Sequence, residues 1–106
     1  MLIFENRYYS FYQNGCHIGQ CSCHPSRYLK NAVELWCFGI YGEYRGQGLG
    51  QQFLREVIEH NTGKTIVLFV EKTNARALHI YKKAGFEIVG EYRGGSYAWE
   101  MRLNTV

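Results

Sequence analysis

Residues 45–50 form a glycine-rich stretch that begins with an arginine. The six residues are Arg45, Gly46, Gln47, Gly48, Leu49 and Gly50. They lie between an apolar, strand-like run over residues 35–41 and an amphipathic, helix-like run over residues 49–58. The start of a helix has unpaired N–H donors and a partial positive charge, glycines let an anion approach them, and an arginine adds a forked donor. The pattern predicts a diphosphate site and a nucleotide-like cofactor.

The spacing of these glycines excludes two common phosphate-binding loops. The dinucleotide fingerprint G-x-G-x-x-G requires a third glycine where this chain has Gln51. The P-loop ends in G-K-[ST], which Gly63, Lys64 and Thr65 supply, but its first glycine falls on Ile58 and a strand follows instead of a helix. The remaining pattern, R-x-x-G-x-G, resembles the coenzyme A pyrophosphate loop of the GNAT superfamily of N-acetyltransferases.

A second stretch resembles the same superfamily and lies at the expected distance from the first. After a strand-like run that begins near residue 68, the chain carries Asn74, Ala77, Tyr81, Gly85 and Phe86. This order is similar to the family's asparagine, alanine, helix tyrosine and closing Gly-Phe pair. The resemblance covers roughly residues 30–103 and is fairly specific because it rests on two ordered motifs.

The resemblance implies acetyl-CoA as the cofactor and an α+β fold with a mixed sheet. Such a fold has antiparallel N-terminal strands, a splayed parallel pair around the glycine-rich loop and its helix, a second helix and a C-terminal hairpin. The pantetheine arm is expected in the gap of the splayed pair, against the backbone of Phe38, Gly39 and Ile40, where it pairs otherwise unsatisfied groups. Asn74 is expected both to cap the second helix and to bind this arm.

The implied reaction moves an acetyl group from acetyl-CoA to a primary amine by direct attack in a ternary complex. By resemblance, Tyr81 is the expected proton donor near the coenzyme sulfur, and Glu34 lies where some relatives carry their base. The alternatives are a core tyrosine and a solvated carboxylate at a strand end. A ping-pong route through Cys37 has less support, because its apolar neighbours predict a buried and unreactive thiol.

Hydrophobic periodicity predicts the elements that position these residues. The predicted strands are residues 2–4, 7–13, 16–24, 33–41, 65–71, 87–93 and 97–103, and the predicted helices are residues 49–58 and 75–84. Asn14 and Gly15 supply the turn of the first hairpin, and Gly94, Gly95 and Ser96 supply that of the last. The helix between the fourth and fifth strands predicts a parallel pair in an otherwise antiparallel sheet.

Length and composition predict one globular domain over residues 1–106, with 46% apolar residues and a single proline. Twelve Lys and Arg against nine Glu give a net charge of +3 that is dispersed along the chain, which argues against a nucleic-acid partner. No apolar run approaches the roughly 20 residues of a membrane span, and no signal-like segment begins the chain. A cytoplasmic protein without a membrane partner is expected.

The four cysteines are predicted to be free thiols buried in strands. Potential zinc ligands cluster at Cys16, His17, Cys21, Cys23 and His24. They lack C-x-x-C spacing, and an extended strand would place His24 on the face opposite to Cys21 and Cys23. No metal site is therefore predicted.

The chain departs from the family pattern at its beginning. Full-length relatives have two helices between their first two strands, and this chain has strand-like sequence there. An open acceptor side favours a bulky acceptor, such as a protein side chain or N-terminus. Alternatively, a second copy covers that side as a homodimer through the first hairpin, near Tyr8, Tyr9, Phe11 and Tyr12. The alternative function is a non-catalytic acyl-CoA-binding or protein-interaction module.

Overall fold

A computed structural model describes residues 1–95 and 97–106. Within them the chain forms one seven-stranded sheet and two α-helices, and neither helix is long and apolar enough to cross a bilayer. The strands are β1 (Leu2–Glu5), β2 (Tyr8–Gln13), β3 (Cys16–Pro25), β4 (Ala32–Ile40), β5 (Thr65–Glu71), β6 (Glu87–Glu91) and β7 (Ala98–Asn104). The helices are α1 (Leu49–His60) and α2 (Ala75–Lys83). Short 3-10 turns cover Gly42–Tyr44 and Tyr92–Gly94.

The strands are arranged in the order β1-β2-β3-β4-β5-β7-β6. Neighbouring strands are antiparallel except for β4 and β5, which run parallel and are joined through α1. A parallel connection of this kind needs a crossover, and the helix after the glycine-rich stretch provides it. The predicted α+β fold is confirmed, with its antiparallel start, parallel pair and C-terminal antiparallel strands.

β4 and β5 diverge towards the end that leads into the glycine-rich stretch. They pair over residues 32–35 and 65–68, although β4 continues to Ile40 and β5 to Glu71. In the described part of the chain, the later portions of the two strands are not paired with each other. Those main-chain groups of the later portions that point between the two strands face a gap.

A bulge in β4 lies beside this gap. β3 and β4 pair at Ser22 with Trp36 and again at Gln20 with Gly39, so β4 holds one extra residue between these pairs. Cys37 lies in this segment and has a φ of 56°, in the left-handed region that residues other than glycine rarely adopt. A bulge increases the local twist and re-aims the side chains near it.

The bulge explains one error in the sequence prediction. All four cysteines are free thiols, and Cys21 and Cys23 are buried, but Cys16 and Cys37 are exposed. Cys16 is the first residue of β3, next to the hairpin turn, and the bulge leaves Cys37 outside the core. Burial raises the pKa of Cys21 to about 12.

Among the residues described, no three or more His, Cys, Asp or Glu side chains converge as a metal site would require.

Both helices cover the same face of the sheet. The shared core includes Phe53, Leu54 and Val57 of α1, Tyr81 of α2, and Ile66, Leu68 and Val70 of β5. Alternate residues of a strand lie on one face, and right-handed crossovers place both helices there. The opposite face carries an aromatic cluster of Trp36, Phe69 and Tyr92, with successive ring centroids 4.8 and 4.5 Å apart.

The first hairpin is partly built into this core. Tyr9 and Phe11 are 1% and 0% exposed, so of the predicted dimer-contact residues these two are unavailable to a second copy, whereas Tyr8 is exposed. The Tyr9 hydroxyl lies 2.6 Å from His60 Nδ1 and accepts a hydrogen bond from Asn61 Nδ2 at 2.9 Å. These bonds fasten β2 to the C-terminal end of α1. A homodimer stays a prediction.

Several element boundaries differ from the predicted ones by one or two residues. α1 extends to His60, two residues beyond the predicted apolar run, and Asn61 is its C-cap residue. β6 ends at Glu91 instead of Arg93, because a 3-10 turn follows in which Arg93 has a φ of 51°. The predicted linker ends with Ser96, which lies outside the described residues.

Candidate active site

A cavity of about 630 Å³ lies between the end of β4, the start of α1 and the start of α2. Its lining consists of Phe38, Gly39, Ile40, Tyr44, Arg45, Gly46, Gly48, Leu49, Gly50, Gln51, Asn74, Ala75, Arg76, Ala77, His79, Ile80 and Tyr81. Every site residue that the sequence predicted is in this lining except Glu34 and Gln47. Residues from two separate motifs therefore meet around one cavity.

The glycine-rich stretch exposes backbone donors to the cavity. Gly46 and Gly48 have φ values of 81° and 74°, and Gly48 is the N-cap residue of α1. No side chain of the described residues caps α1 at this position, so its first N–H groups keep their hydrogen-bonding capacity. A Cβ atom at Gly46 or Gly48 would contact nothing within 4 Å, so the space beside each of these Cα atoms is open. This arrangement suits an anionic group.

Arg45 is held beside these donors by the backbone. Its Nε donates a hydrogen bond to the carbonyl oxygen of Ile40 at 3.0 Å, which ties the side chain to the end of β4. The terminal nitrogens of a guanidinium remain available when Nε is engaged in this way. Arg45 therefore adds positive charge at the mouth of the gap between β4 and β5.

The start of α2 forms the other side of the cavity, and it is capped. Asn74 Oδ1 accepts a hydrogen bond from the backbone nitrogen of Ala77 at 3.2 Å, as the sequence predicted for an N-cap. Gln51 Nε2 donates to the Ile80 carbonyl oxygen at 3.1 Å and links the two helices. The separation between the two sides of the cavity is thereby fixed by a direct contact.

Tyr81 lies deep in this cavity and is 7% exposed. Its ring makes an edge contact with Phe38, with centroids 5.9 Å apart, and Phe38 stacks on Phe53 at 4.9 Å. Burial raises the pKa of the Tyr81 phenol well above its usual value, and the nearby Cys21 thiol raises it further. The hydroxyl therefore stays protonated at neutral pH and can donate a hydrogen bond.

Glu34 lies away from this cavity. It is a half-buried residue of β4, six residues before Ile40, and its Oε1 accepts a hydrogen bond from Trp36 Nε1 at 3.1 Å. Glu34 pairs with Val67 of β5 and shares the face that carries Trp36, whereas Tyr81 lies on the helical face. The structure does not bring the two predicted catalytic residues together, and the role of Glu34 as a base stays a prediction.

Gln47 and two further polar residues also differ from the sequence analysis. Gln47 is exposed and absent from the cavity lining, so a contact from its backbone nitrogen stays a prediction. Sequence reasoning did not assign Arg76 and His79 to the site, although both line the cavity. Their positions two and five residues after Asn74 carried the signal, because residues three apart share one face of a helix.

Comparison with known proteins gives a family for this fold and cavity. Residues 2–86 match the model of the Acetyltransferase (GNAT) family. The N-alpha-acetyltransferase RimI of Mycobacterium tuberculosis is 34% identical over 77 residues, which cover 68% of this chain and 49% of that protein. A mycothiol acetyltransferase of Corynebacterium glutamicum is 33% identical over 58 residues, 52% of this chain and 20% of that protein. The chain thus spans about half or less of these relatives.

Solved structures show the same fold. The ribosomal-protein-S18-alanine N-acetyltransferase from Escherichia coli matches with a TM-score of 0.76 and 23% identity, covering 95% of this chain and 71% of that one. The PaiA N-acetyltransferase from Thermoplasma acidophilum, solved in complex with coenzyme A, matches with a TM-score of 0.75 and 19% identity, covering 92% and 59%. At these identities the likeness is one of fold.

Proposed function

Because this chain belongs to the GNAT acetyltransferase family, we propose that it transfers an acetyl group from acetyl-CoA to a primary amine. One observation carries the proposal: the uncapped start of α1, Arg45, the gap between β4 and β5, and the protonated Tyr81 all open into one cavity. These are the features that an anionic, amide-bearing thioester requires. A cavity of this volume is within the range of small-molecule and cofactor sites.

In this proposal, the cavity binds acetyl-CoA in three parts. The diphosphate is bound by the N–H groups at the start of α1 and by Arg45. The amide-bearing arm lies along the edge of β4 at Phe38, Gly39 and Ile40, where this strand is not paired with β5. Asn74, at the opposite wall, reaches the same arm. The thioester then lies near Tyr81.

The chemistry requires a neutral amine and a protonated leaving group. Acetyl-CoA supplies an acyl group activated as a thioester, and the acceptor nitrogen attacks its carbonyl carbon while the carbon–sulfur bond breaks. Tyr81 gives its proton to the departing sulfur, so that coenzyme A leaves as a thiol. An alkylamine has an ordinary pKa of about 10.4 and must lose a proton first, either to water or to Glu34. The acceptor nitrogen, now bonded to the acetyl group, loses its second proton to water, and bulk water restores the proton of Tyr81.

The acceptor that we propose is an amine on a protein, either an N-terminus or a side chain. Two matched proteins, by their names, acetylate an α-amino group or a ribosomal-protein alanine. The face opposite the helices carries Glu34 and the Trp36 cluster, and both described α-helices pack on the other face. A face that no described α-helix covers accommodates a polypeptide more readily than a small amine that needs enclosure.

The test is release of free thiol from acetyl-CoA in the presence of peptides with free N-termini or lysines. The wild type is expected to turn over at least one peptide. Tyr81→Phe is expected to lower kcat about 100-fold with little change in KM for acetyl-CoA, because it removes only the proton donor. Arg45→Ala is expected to raise that KM about tenfold, because a charge-assisted contact is lost.

Tyr28→Phe is the matched control, since Tyr28 is 88% exposed and lies outside the cavity, and it is expected to leave both constants unchanged. Acetyl-CoA binding without turnover of any peptide would instead support a non-catalytic acyl-CoA-binding module. Turnover that Tyr81→Phe leaves intact would contradict the proposed role of that residue.

A further inference from the structure

Three basic side chains line the cavity at two separate places. Arg45 lies beside the start of α1, whereas Arg76 and His79 belong to the first turns of α2. Among the described residues that line the cavity, none is acidic. The cavity therefore presents positive charge from both walls. A diphosphate bound at the start of α1 would neutralise the charge of Arg45 but not that of the α2 wall.

The basic pair on α2 is arranged to act on one ligand group. Arg76 and His79 are three residues apart, so their side chains leave the same face of the helix, and both are exposed. The hydrogen bond from Gln51 to Ile80 fixes α2 against α1 at this level. Arg45 is fixed at its own wall through the Ile40 carbonyl oxygen. The α2 pair is thus a second cationic position in the same cavity.

We propose that Arg76, supported by His79, binds the 3′-phosphate of acetyl-CoA and makes the protein select for it; the inference rests on the proposed function. Coenzyme A carries a phosphate monoester on its ribose, separate from the diphosphate. With the diphosphate at α1, this monoester is the remaining anionic group for the second wall. A guanidinium matches phosphate through paired hydrogen bonds, which gives geometric preference as well as attraction.

The test compares acetyl-CoA with acetyl-3′-dephospho-CoA by equilibrium dialysis at fixed ionic strength. The wild type is expected to bind acetyl-CoA about tenfold more tightly. Arg76→Gln is expected to remove this preference. It should lower the affinity for acetyl-CoA about tenfold and leave the affinity for acetyl-3′-dephospho-CoA unchanged. His79→Gln is expected to reduce the preference in the same direction but by less. Circular dichroism verifies that each variant is folded.

Arg55→Gln is the matched control, because Arg55 is an exposed arginine of α1 that does not line the cavity, and it is expected to change neither affinity. Equal affinity of the wild type for the two compounds overturns the inference. So does an Arg76→Gln variant that weakens both compounds equally, since Arg76 would then contact the diphosphate. Failure of the wild type to bind either compound contradicts the proposed function itself.

Discussion

Gly46 and Gly48 give the loop before α1 a backbone shape that other residues adopt only with strain. Both have positive φ values, and the space next to each Cα is open. Glycine populates this region freely, whereas a Cβ atom there crowds the following carbonyl oxygen. The same missing Cβ atoms leave the N–H groups of α1 accessible. At these two positions, backbone conformation and ligand access depend on one residue type.

Gly48→Ala is therefore expected to lower the free energy of unfolding by about 1 kcal/mol and also to weaken acetyl-CoA binding. Urea denaturation and a ligand titration measure the two effects. Gly42→Ala is the control, because Gly42 does not have a positive φ and a Cβ atom there would contact nothing within 4 Å. A Gly48→Ala variant as stable and as active in binding as Gly42→Ala would contradict this account of the loop.

The buried thiol of Cys21 is expected to make the stability of the protein depend on pH in the alkaline range. Burial raises its pKa from an ordinary value of 9.0 to about 12, so the folded state favours the neutral thiol. A pKa raised by folding contributes stability that is present below about pH 9 and is lost as the pH rises towards about 12. Tyr9, whose pKa is raised to about 12 mainly by burial, adds to the same loss from about pH 10.

We expect the free energy of unfolding of the wild type to fall between about pH 8 and about pH 10.5, and that of the Cys21→Ala variant to fall less steeply. Cys16→Ala, which removes an exposed thiol, serves as the control and keeps the wild-type slope. Urea denaturation under reducing conditions measures all three proteins. Identical slopes for Cys21→Ala and the wild type would show that the buried thiol does not titrate as described.

At the scale of elements, the two helices begin in different ways. α2 has a side-chain cap from Asn74, whereas the described residues provide no side-chain cap for α1. The uncapped start is the one that follows the glycines and opens towards the proposed diphosphate position. The first N–H groups of α1 are thus left for a ligand to bind, whereas the start of α2 is capped by a side chain of the protein itself.

Asn74 has two proposed roles, and two substitutions separate them. Asn74→Ala is expected to lower the free energy of unfolding by about 1 kcal/mol, because the cap to Ala77 is lost, and to weaken acetyl-CoA binding. Asn74→Asp keeps an oxygen acceptor for the cap and is expected to retain stability, but it loses the amide donor and places a negative charge beside an anionic ligand. Normal acetyl-CoA affinity in both variants would show that Asn74 caps α2 but does not bind the ligand.

The Tyr9 hydroxyl joins β2 to the end of α1, so Tyr9→Phe tests this junction. The change leaves Asn61, which is 3% exposed, with one hydrogen bond fewer, and removes the contact with His60. We expect the free energy of unfolding to fall by about 1–2 kcal/mol in thermal or urea denaturation. Tyr8→Phe, at a residue that is 53% exposed, is the control and is expected to be nearly neutral.

The sequence predicted the elements well because their signals are local. The apolar rhythm of α1, the Asn74 cap and the Gly85 end of α2 each depend on neighbouring residues, and Gly85 has the expected positive φ of 105°. The bulge at Cys37 was not predicted, because it depends on how β4 pairs with β3 and its left-handed residue is not a glycine. The place of Arg76 was missed although its spacing from Asn74 carried a signal, because the rotation of α2 about its axis is fixed by packing.

At the scale of the whole molecule, both described α-helices lie on one face of the sheet. A continuous apolar strand such as β5 is typical of a strand covered on both faces, and Val67, on the face away from the helices, is only 3% exposed. The neighbouring strands at this point carry Glu34 and Arg102. Separation of the strands, helix packing and the cavity all follow from one topology, in which a parallel pair opens towards the start of α1.

A calorimetric titration of the intact protein with acetyl-CoA tests the proposed diphosphate site at the start of α1. We expect binding at one site per chain, weakened about tenfold by Arg45→Ala and reduced as salt is raised, because the diphosphate contributes much of the attraction. No detectable binding by the wild type, or an affinity that Arg45→Ala and salt leave unchanged, would contradict the proposed site.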